Sequence, residues 1–242
     1  MYITADTDIG NRDGDNQDCY TAGRLSDGTC WAVLCDGMGG CTDGDIASRT
    51  VCGIFSEMLS KGLPSAHSDD NIRSLLLNTS EKANTVLFSM SASYPVGTVI
   101  GTTVVALVVR GNTGHIVHSG DSRGYLVHKK SLKQLTRDHS VVQEMVDNGI
   151  ITPEQAKNHP KRNVITAAVG IDNRLKITYN RFSVSPNDLI LLCSDGLYSV
   201  LNDDDILLHC SSENFFTSAS SIVKTAYDYG SADNITAVII KA

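Results

Sequence analysis

The sequence predicts an α+β protein of one domain, with sheets layered under helices. Two segments of helical periodicity come early, strand signals separated by hairpin-length turns crowd the middle, and a further helix precedes a terminal strand. Blocks of strands beside blocks of helices, without strict βαβ alternation, point to this class. No repeat, low-complexity tract or linker divides the 242 residues, a length that supplies ample core.

Taken in order, residues 2–9 alternate weakly and are expected to form a first strand, and Gly10 to Asp18 reads as polar loop. Trp31 to Asp36 is the second strand. From Asp45 to Ser60, the residues Ile46, Ala47, Val51, Ile54, Phe55, Met58 and Leu59 follow helical spacing, and Gly62 with Pro64 closes the segment. A second helix is expected from about Asn71 to Ser91, on Ile72, Leu75, Leu76, Ala83, Val86, Leu87 and Met90. Thr102 to Val109, His115 to Ser119 and Gly124 to His128 read as an antiparallel meander. Residues 139–170 break the pattern with two short helical pieces and a polar loop, and are expected to be a flap-like insertion over the sheet edge. Strands return at Leu175 to Phe182 and Asp188 to Cys193, a helix is expected from about Asn214 to Tyr227, and Asn234 to Ile240 is the last strand.

Composition excludes several classes. A net charge of -7 without a long basic run argues against nucleic-acid binding, since Lys129-Lys130 and Lys161-Arg162 are the densest basic pairs and suit solvated surface. No long apolar stretch suggests a membrane span, and the start, Met1-Tyr2-Ile3-Thr4-Ala5-Asp6, lacks the basic and apolar regions of a signal peptide, so a cytoplasmic protein is expected. Seven cysteines with no C-x-x-C pair disfavour a disulfide framework or a zinc site and suit buried thiols in a reducing compartment.

The chemistry gathers at one recurring pattern. Val33-Leu34-Cys35-Asp36-Gly37-Met38-Gly39-Gly40 is an apolar run that ends on a carboxylate and turns through glycines. A charge at a strand end needs a positive partner, and the glycines would let the Gly37 carbonyl reach the same cation. Taken alone, this is also an ordinary strand-to-loop turn. The pattern recurs, however, at Leu189 to Gly196 with Asp195, at Gly120-Asp121-Ser122-Arg123, and at Asp233 before the last strand. Four carboxylates at strand ends repel one another unless they share cations, which is the mark of a multi-metal site. Carboxylates, a carbonyl and waters are hard donors, so Mn²⁺ or Mg²⁺ is expected. Two such ions about 3.5–4 Å apart can activate a bridging water for in-line phosphoryl displacement with no protein nucleophile.

Asp36-Gly37-Met38-Gly39-Gly40, Gly101-Thr102-Thr103, Gly120-Asp121-Ser122-Arg123, Ser194-Asp195-Gly196-Leu197 and Asp233-Asn234-Ile235-Thr236 stand in the order and at about the spacing of the metal-dependent type 2C serine/threonine protein phosphatases. The resemblance spans essentially the whole chain, including Leu135-Thr136-Arg137-Asp138-His139-Ser140, and is nearest to the compact bacterial members. It implies a four-layer α-β-β-α sandwich with two central, mainly antiparallel sheets. It also implies hydrolysis of phosphoserine and phosphothreonine in proteins by a water or hydroxide that bridges two metals. Asp36 would bridge the two ions, Asp195 and Asp233 would complete the ligands of the first metal, and the Gly37 carbonyl would serve the second metal. Asp121 resembles the ligand of a weaker third metal, shared with Asp195.

Arg12 matches the family's phosphate-binding arginine, and its fork suits two phosphate oxygens. One residue more than usual separates it from Asn16, an excess that Gly14 could absorb; otherwise Arg12 is a solvated loop charge. Met38 stands where many eukaryotic members have a histidine taken as the general acid, so a metal-bound water would protonate the leaving group instead. Gln17 replaces a glutamate found in some members and leaves Asp18 as the outer-shell group. The partners implied are phosphoproteins and, by analogy, a serine/threonine kinase and its substrates, and a monomer is expected. His139, at the start of the insertion, suits a structural role better than acid–base work, and Ser122 and Arg123 read as turn residues that brace Asp121.

Three other readings are weaker. Gly120-Asp121-Ser122-Arg123-Gly124 fits the G-x-S-x-G elbow, but that needs a following helix and Tyr125 to His128 reads as strand. His209-Cys210 resembles a cysteine-phosphatase loop, yet Phe216 stands where its arginine belongs, which suits a buried cysteine at a helix end. A non-catalytic phosphoprotein-binding module would be marked by loss of metal-site carboxylates, and Asp36, Asp195 and Asp233 are all present.

Overall fold

The chain begins β1 (Tyr2–Asp8), β2 (Asp18–Arg24), β3 (Cys30–Met38), α1 (Asp43–Gly62), α2 (Asp69–Ser91), β4 (Gly101–Thr102), β5 (Val104–Arg110), β6 (Thr113–Ser119), β7 (Arg123–His128) and β8 (Ser131–Gln134). It continues α3 (Val141–Asp147), α4 (Pro153–Lys157), β9 (Thr178–Ser183), β10 (Leu189–Cys193), α5 (Asp195–Tyr198), α6 (Asp203–Cys210), α7 (Ser218–Asp228) and β11 (Ile235–Lys241). The structure is a computed structural model that describes residues 1–39, 43–91, 93–94, 100–210 and 214–242. Gly40, the last residue of the Asp36 motif, lies outside them. The strands form two antiparallel sheets, β1-β11-β10-β7-β8 and β2-β3-β5-β6-β9, with β4 beside β3.

Side-chain alternation turns these sheets into four layers. Along β3, Trp31, Val33 and Cys35 pack under α1 and α2 with Ala47, Val51, Phe55, Leu76 and Leu87, while Ala32 and Leu34 face the other way. On the second sheet, Leu189, Leu191 and Cys193 of β10 face α6 and α7, where Ile206, Ile222 and Val223 cover them, and Ile190 and Leu192 point inward. Leu34, Leu107, Ile116, Ile190, Leu192, Val238 and Ile240 therefore form the dry seam between the sheets. Each such buried side chain contributes roughly 1.5–3 kcal/mol, enough in sum to hold the two sheets face to face. This is the α-β-β-α sandwich that the resemblance implies.

Several local expectations are corrected. Asp18–Arg24 is a strand, not the end of a loop: it is an edge strand on β3, where one-sided pairing tolerates the polar, half-buried sequence Asp-Cys-Tyr-Thr-Ala-Gly-Arg. The meander does not exist. β5 and β6 pair as a hairpin, but the chain then crosses to the other sheet and β7 pairs with β10 and β8. Gly120 makes the crossing possible with φ +104, a conformation that costs a side-chain-bearing residue. β8 and α6 lack a clear periodic signal, and α7 begins at Ser218 after a 3₁₀ turn, Phe215–Thr217, four residues later than expected.

Residues 139–170 hold the two expected short helices, α3 capped by Ser140 and α4 by a Thr152–Gln155 capping box. Short bridges, Ser140 with Ile165 and Thr102 with Val169, tie the segment back to the body. Cys30, Cys35, Cys52, Cys193 and Cys210 are buried free thiols and Cys19 is partly buried, while Cys41 lies outside the described residues. Among the described residues no helix is long and apolar enough to cross a membrane.

Candidate metal centre

Five carboxylates reach one end of the paired sheets by separate routes. Asp18 and Asp36 are directly opposed across β2 and β3. β10 and β11 run antiparallel, so Asp195, just after the end of one, and Asp233, just before the start of the other, arrive together. Arg123 pairs with Cys193, which places the β6–β7 crossing and its Asp121 beside Asp195. Two glycines make the approach possible. A Cβ on Gly196 would lie 2.1 Å from the Asn234 carbonyl oxygen, and one on Gly37 would lie 2.0 Å from that of Gly44.

The cluster is electrostatically strained. Burial pushes the Asp36 carboxyl well above the ordinary carboxylate range, and the charges of Asp18, Asp195, Asp121 and Asp233 push it further. Asp195 is raised for the same reasons, with burial first and Asp121 next. Asp18 rises to about 6 through burial, against hydrogen bonds from Thr236 and Ser194 that pull it down. Asp121 also rises to about 6, through burial and then Asp138, with Arg123 and Tyr198 opposing.

A divalent cation fits this arrangement. Asp18 Oδ1 and Asp195 Oδ1 are buried and, among the described residues, have no hydrogen-bond partner. Buried anionic oxygens left in that condition need a cation or a proton. Among the described residues no three acidic, histidine or cysteine side chains stand close enough together to hold a metal ion by themselves. The oxygens gathered here are carboxylate and carbonyl oxygens, hard donors that suit Mn²⁺ or Mg²⁺.

Hydroxyls and amides that stand within the quoted motifs, but were given no role there, hold the carboxylates. Ser194 Oγ and Thr236 Oγ1 both donate to Asp18 Oδ2, at 2.7 and 2.6 Å, which leaves Oδ1 facing the cluster. Asn234 accepts the Gln17 N–H at 2.8 Å and donates to the Ile9 carbonyl at 2.9 Å, so the loop after β1 is tied to β11. Thr103 Oγ1 accepts the Asp36 N–H at 3.0 Å. The available signal was polar residues, Ser194 and Thr236, at fully buried positions beside apolar runs.

Arg12 is at the site, half-buried, with its guanidinium paired to Asp233. The extra residue before Asn16 therefore does not carry it away. Met38 is partly buried at the end of β3, where Gly101 pairs with it. His139 is buried with Nε2 3.0 Å from Thr178 Oγ1 and its ring stacked on His118 at 4.7 Å. Burial first, and then His118, push it down to about 4, in keeping with a structural role. A strand, β7, follows Ser122, which removes the hydrolase-elbow reading, and Cys210 is buried at the end of α6.

Comparison with known proteins decides the family. The profile of protein phosphatase 2C matches residues 11–236. The chain belongs to the protein phosphatase 2C family. It is similar to serine/threonine phosphatase Stp of Listeria monocytogenes, at 30% identity over 100% of this chain and 96% of that protein. Among solved structures, the Mycobacterium tuberculosis serine/threonine phosphatase PstP/Ppp superposes with a TM-score of 0.89 at 32% identity, covering 98% of this chain and 97% of that one. The catalytic domain of PstP in complex with two manganese ions gives a TM-score of 0.85 at 30% identity, over 98% and 96% of the two chains. These relatives of the present phosphatase 2C chain are serine/threonine phosphatases, and one carries the metal that the donor chemistry favours.

Proposed function

We propose that this phosphatase removes phosphate from phosphoserine and phosphothreonine in proteins at a centre where Asp36, the Gly37 carbonyl, Asp195 and Asp233 hold two Mn²⁺ or Mg²⁺ ions. The observation that carries the reading is the buried, mutually repelling carboxylate cluster with unpartnered oxygens on Asp18 and Asp195. Bound there, the cations supply the positive charge that acidifies water for in-line attack on phosphorus and steadies the departing oxygen.

The chain's own groups then have distinct tasks. Arg12, now paired with Asp233, can turn its fork to two phosphate oxygens and fix the phosphoryl group for attack. Asp18, clamped by Ser194 and Thr236, presents Oδ1 as an acceptor that orients water. Asp121, with Asp195, holds a third and weaker cation. With Met38 where a histidine could stand, no side chain is assigned to protonate the leaving oxygen, and solvent in the centre takes that task. Residues 139–170 act as a flap beside the cleft. The protein works in the cytoplasm as a single-domain monomer on the substrates of a serine/threonine kinase, and on the kinase itself.

The test is hydrolysis of a phosphothreonine peptide and of p-nitrophenyl phosphate with Mn²⁺ and with excess EDTA. Activity that needs the ion and vanishes in Asp36→Ala and Asp195→Ala is the expected result. Turnover retained in EDTA sinks the two-metal reading.

A further inference from the structure

Asp121 sits between two braces. On one side, Ser122 Oγ lies 2.6 Å from Thr103 Oγ1, the same oxygen that accepts the Asp36 N–H. On the other side stands Tyr198, the last residue of α5, the single helical turn that Asp195 opens. Its hydroxyl donates to the Asp121 carbonyl at 3.0 Å, and its ring lies over the Arg123 guanidinium, 3.6 Å from Cζ to the ring centroid. Arg123 is itself immobilised. Nε and Nη2 grip Asp138 bidentately, with the shortest contact 2.7 Å, and Nη1 donates to the Tyr125 hydroxyl at 3.0 Å.

One side chain thus joins the helix that carries Asp195 to the backbone carbonyl of Asp121 and to Arg123, two residues further on. The link matters because these carboxylates push each other apart: Asp121 is the strongest charged neighbour acting on Asp195. A stacked ring gives lateral position, and a hydroxyl on the backbone carbonyl gives separation. The Tyr198 ring also packs against the apolar core that Leu197 enters from the same turn, so the hydroxyl is the part of the side chain that serves Asp121 alone.

We infer that Tyr198 is a positioning residue that sets the separation of Asp121 and Asp195, and with it the affinity of the weak cation site those carboxylates share. The inference rests on the third-site reading proposed above. Tyr198→Phe isolates the contact, because it keeps the ring over Arg123 and removes only the hydroxyl. Losing one hydrogen bond of ordinary strength corresponds to about a 3- to 10-fold weakening.

The experiment is calorimetric titration of Mn²⁺ into metal-stripped wild type, Tyr198→Phe and Asp121→Ala. The expected result is two tight sites unchanged throughout, a weak site lost in Asp121→Ala, and the same site weakened about 3- to 10-fold in Tyr198→Phe with the melting temperature of the stripped protein preserved. An unchanged weak site in Tyr198→Phe alongside its loss in Asp121→Ala overturns the inference. So does parallel weakening of all three sites, which would mark a general structural loss. If Asp121→Ala keeps the weak site, the third-site reading itself fails and takes the inference with it. Should Tyr198→Phe not yield folded protein, Arg123→Lys removes the fork that holds the ring; selective weakening of the weak site supports the inference and uniform weakening overturns it.

Discussion

Asp18→Asn should make the metal-free protein more stable while it impairs the enzyme. The Asp18 carboxyl stands at about 6 in the folded chain against an ordinary value of 3.8. At ~1.4 kcal/mol per pH unit, holding it ionised at pH 7 costs the fold about 3 kcal/mol. The sign follows from the raised value: the protonated form's contribution is complete below the ordinary value and is lost as pH rises through about 6. Asparagine keeps an oxygen to accept from Ser194 and Thr236, and it turns an amide donor, not an unpartnered anion, toward Asp36. For a domain of this size, ~2–4 °C per kcal/mol translates the gain into a melting temperature higher by about 6–12 °C. The assay is thermal unfolding followed by circular dichroism in EDTA at pH 7 and at pH 5. The advantage of the variant should shrink by about 1 kcal/mol at pH 5, where wild-type Asp18 takes up its proton. Saturating Mn²⁺ should raise wild type more than the variant, since the ion binds only the folded form. A variant that melts at or below the wild-type temperature in EDTA at pH 7 refutes the argument that this cluster is strained.

Other outcomes follow from the same geometry. Asp36→Ala and Asp195→Ala should lower turnover by at least about a thousandfold yet leave the circular dichroism spectrum unchanged, as each removes a charge that repels its neighbours; a variant with near wild-type kcat would exclude that residue from the centre. His139, pushed down to about 4, stabilises the fold above its ordinary value of 6.5, and that stability is lost as pH falls toward 4. The unfolding free-energy difference between wild type and His139→Gln should therefore narrow by about 2 kcal/mol from pH 7.5 to pH 5, and a pH-independent difference would contradict the neutral, buried ring. Replacing residues 148–163 with a short Gly-Ser loop should change kcat/KM for a phosphopeptide several-fold more than for p-nitrophenyl phosphate; equal changes would show that the segment supports the metal centre and not the substrate.

What the sequence disclosed and what it hid divide along a physical line. Helices α1 and α2 and the strands β3, β5, β10 and β11 each bury one stripe or both faces, so periodicity or an unbroken apolar run betrays them. The carboxylates were legible because a charge at the end of such a run is costly unless a cation shares it. β2 was missed because an edge strand needs apolar residues on one side at most, and its Asp18 looked like loop while it was pairing with Asp36. The meander was misread because Gly120-Asp121-Ser122 has the length and composition of a hairpin turn. Only the three-dimensional seam, with Ile116 of β6 and Leu126 of β7 meeting from opposite sheets, shows that the chain crosses there.

Separation along the chain explains why the roles of the bracing residues went unread. A ligand such as Asp195 is marked by its own neighbours in the chain, but Thr236 serves Asp18 from 218 positions away and Tyr198 serves Asp121 from 77. Their side chains are ordinary for their local elements, a threonine early in a strand and a tyrosine closing a helical turn. Tyr198 reaches Asp121 because antiparallel pairing of β10 with β7 brings the turn after one beside the crossing before the other, and Thr236 reaches Asp18 because β11 of one sheet packs against β2 of the other. A centre that must hold several like charges in fixed positions needs such cross-links between segments, because repulsion otherwise separates any two carboxylates carried on independent loops. The positions of the charges are thus written in short motifs, and their spacing is written in the pairing of the sheets.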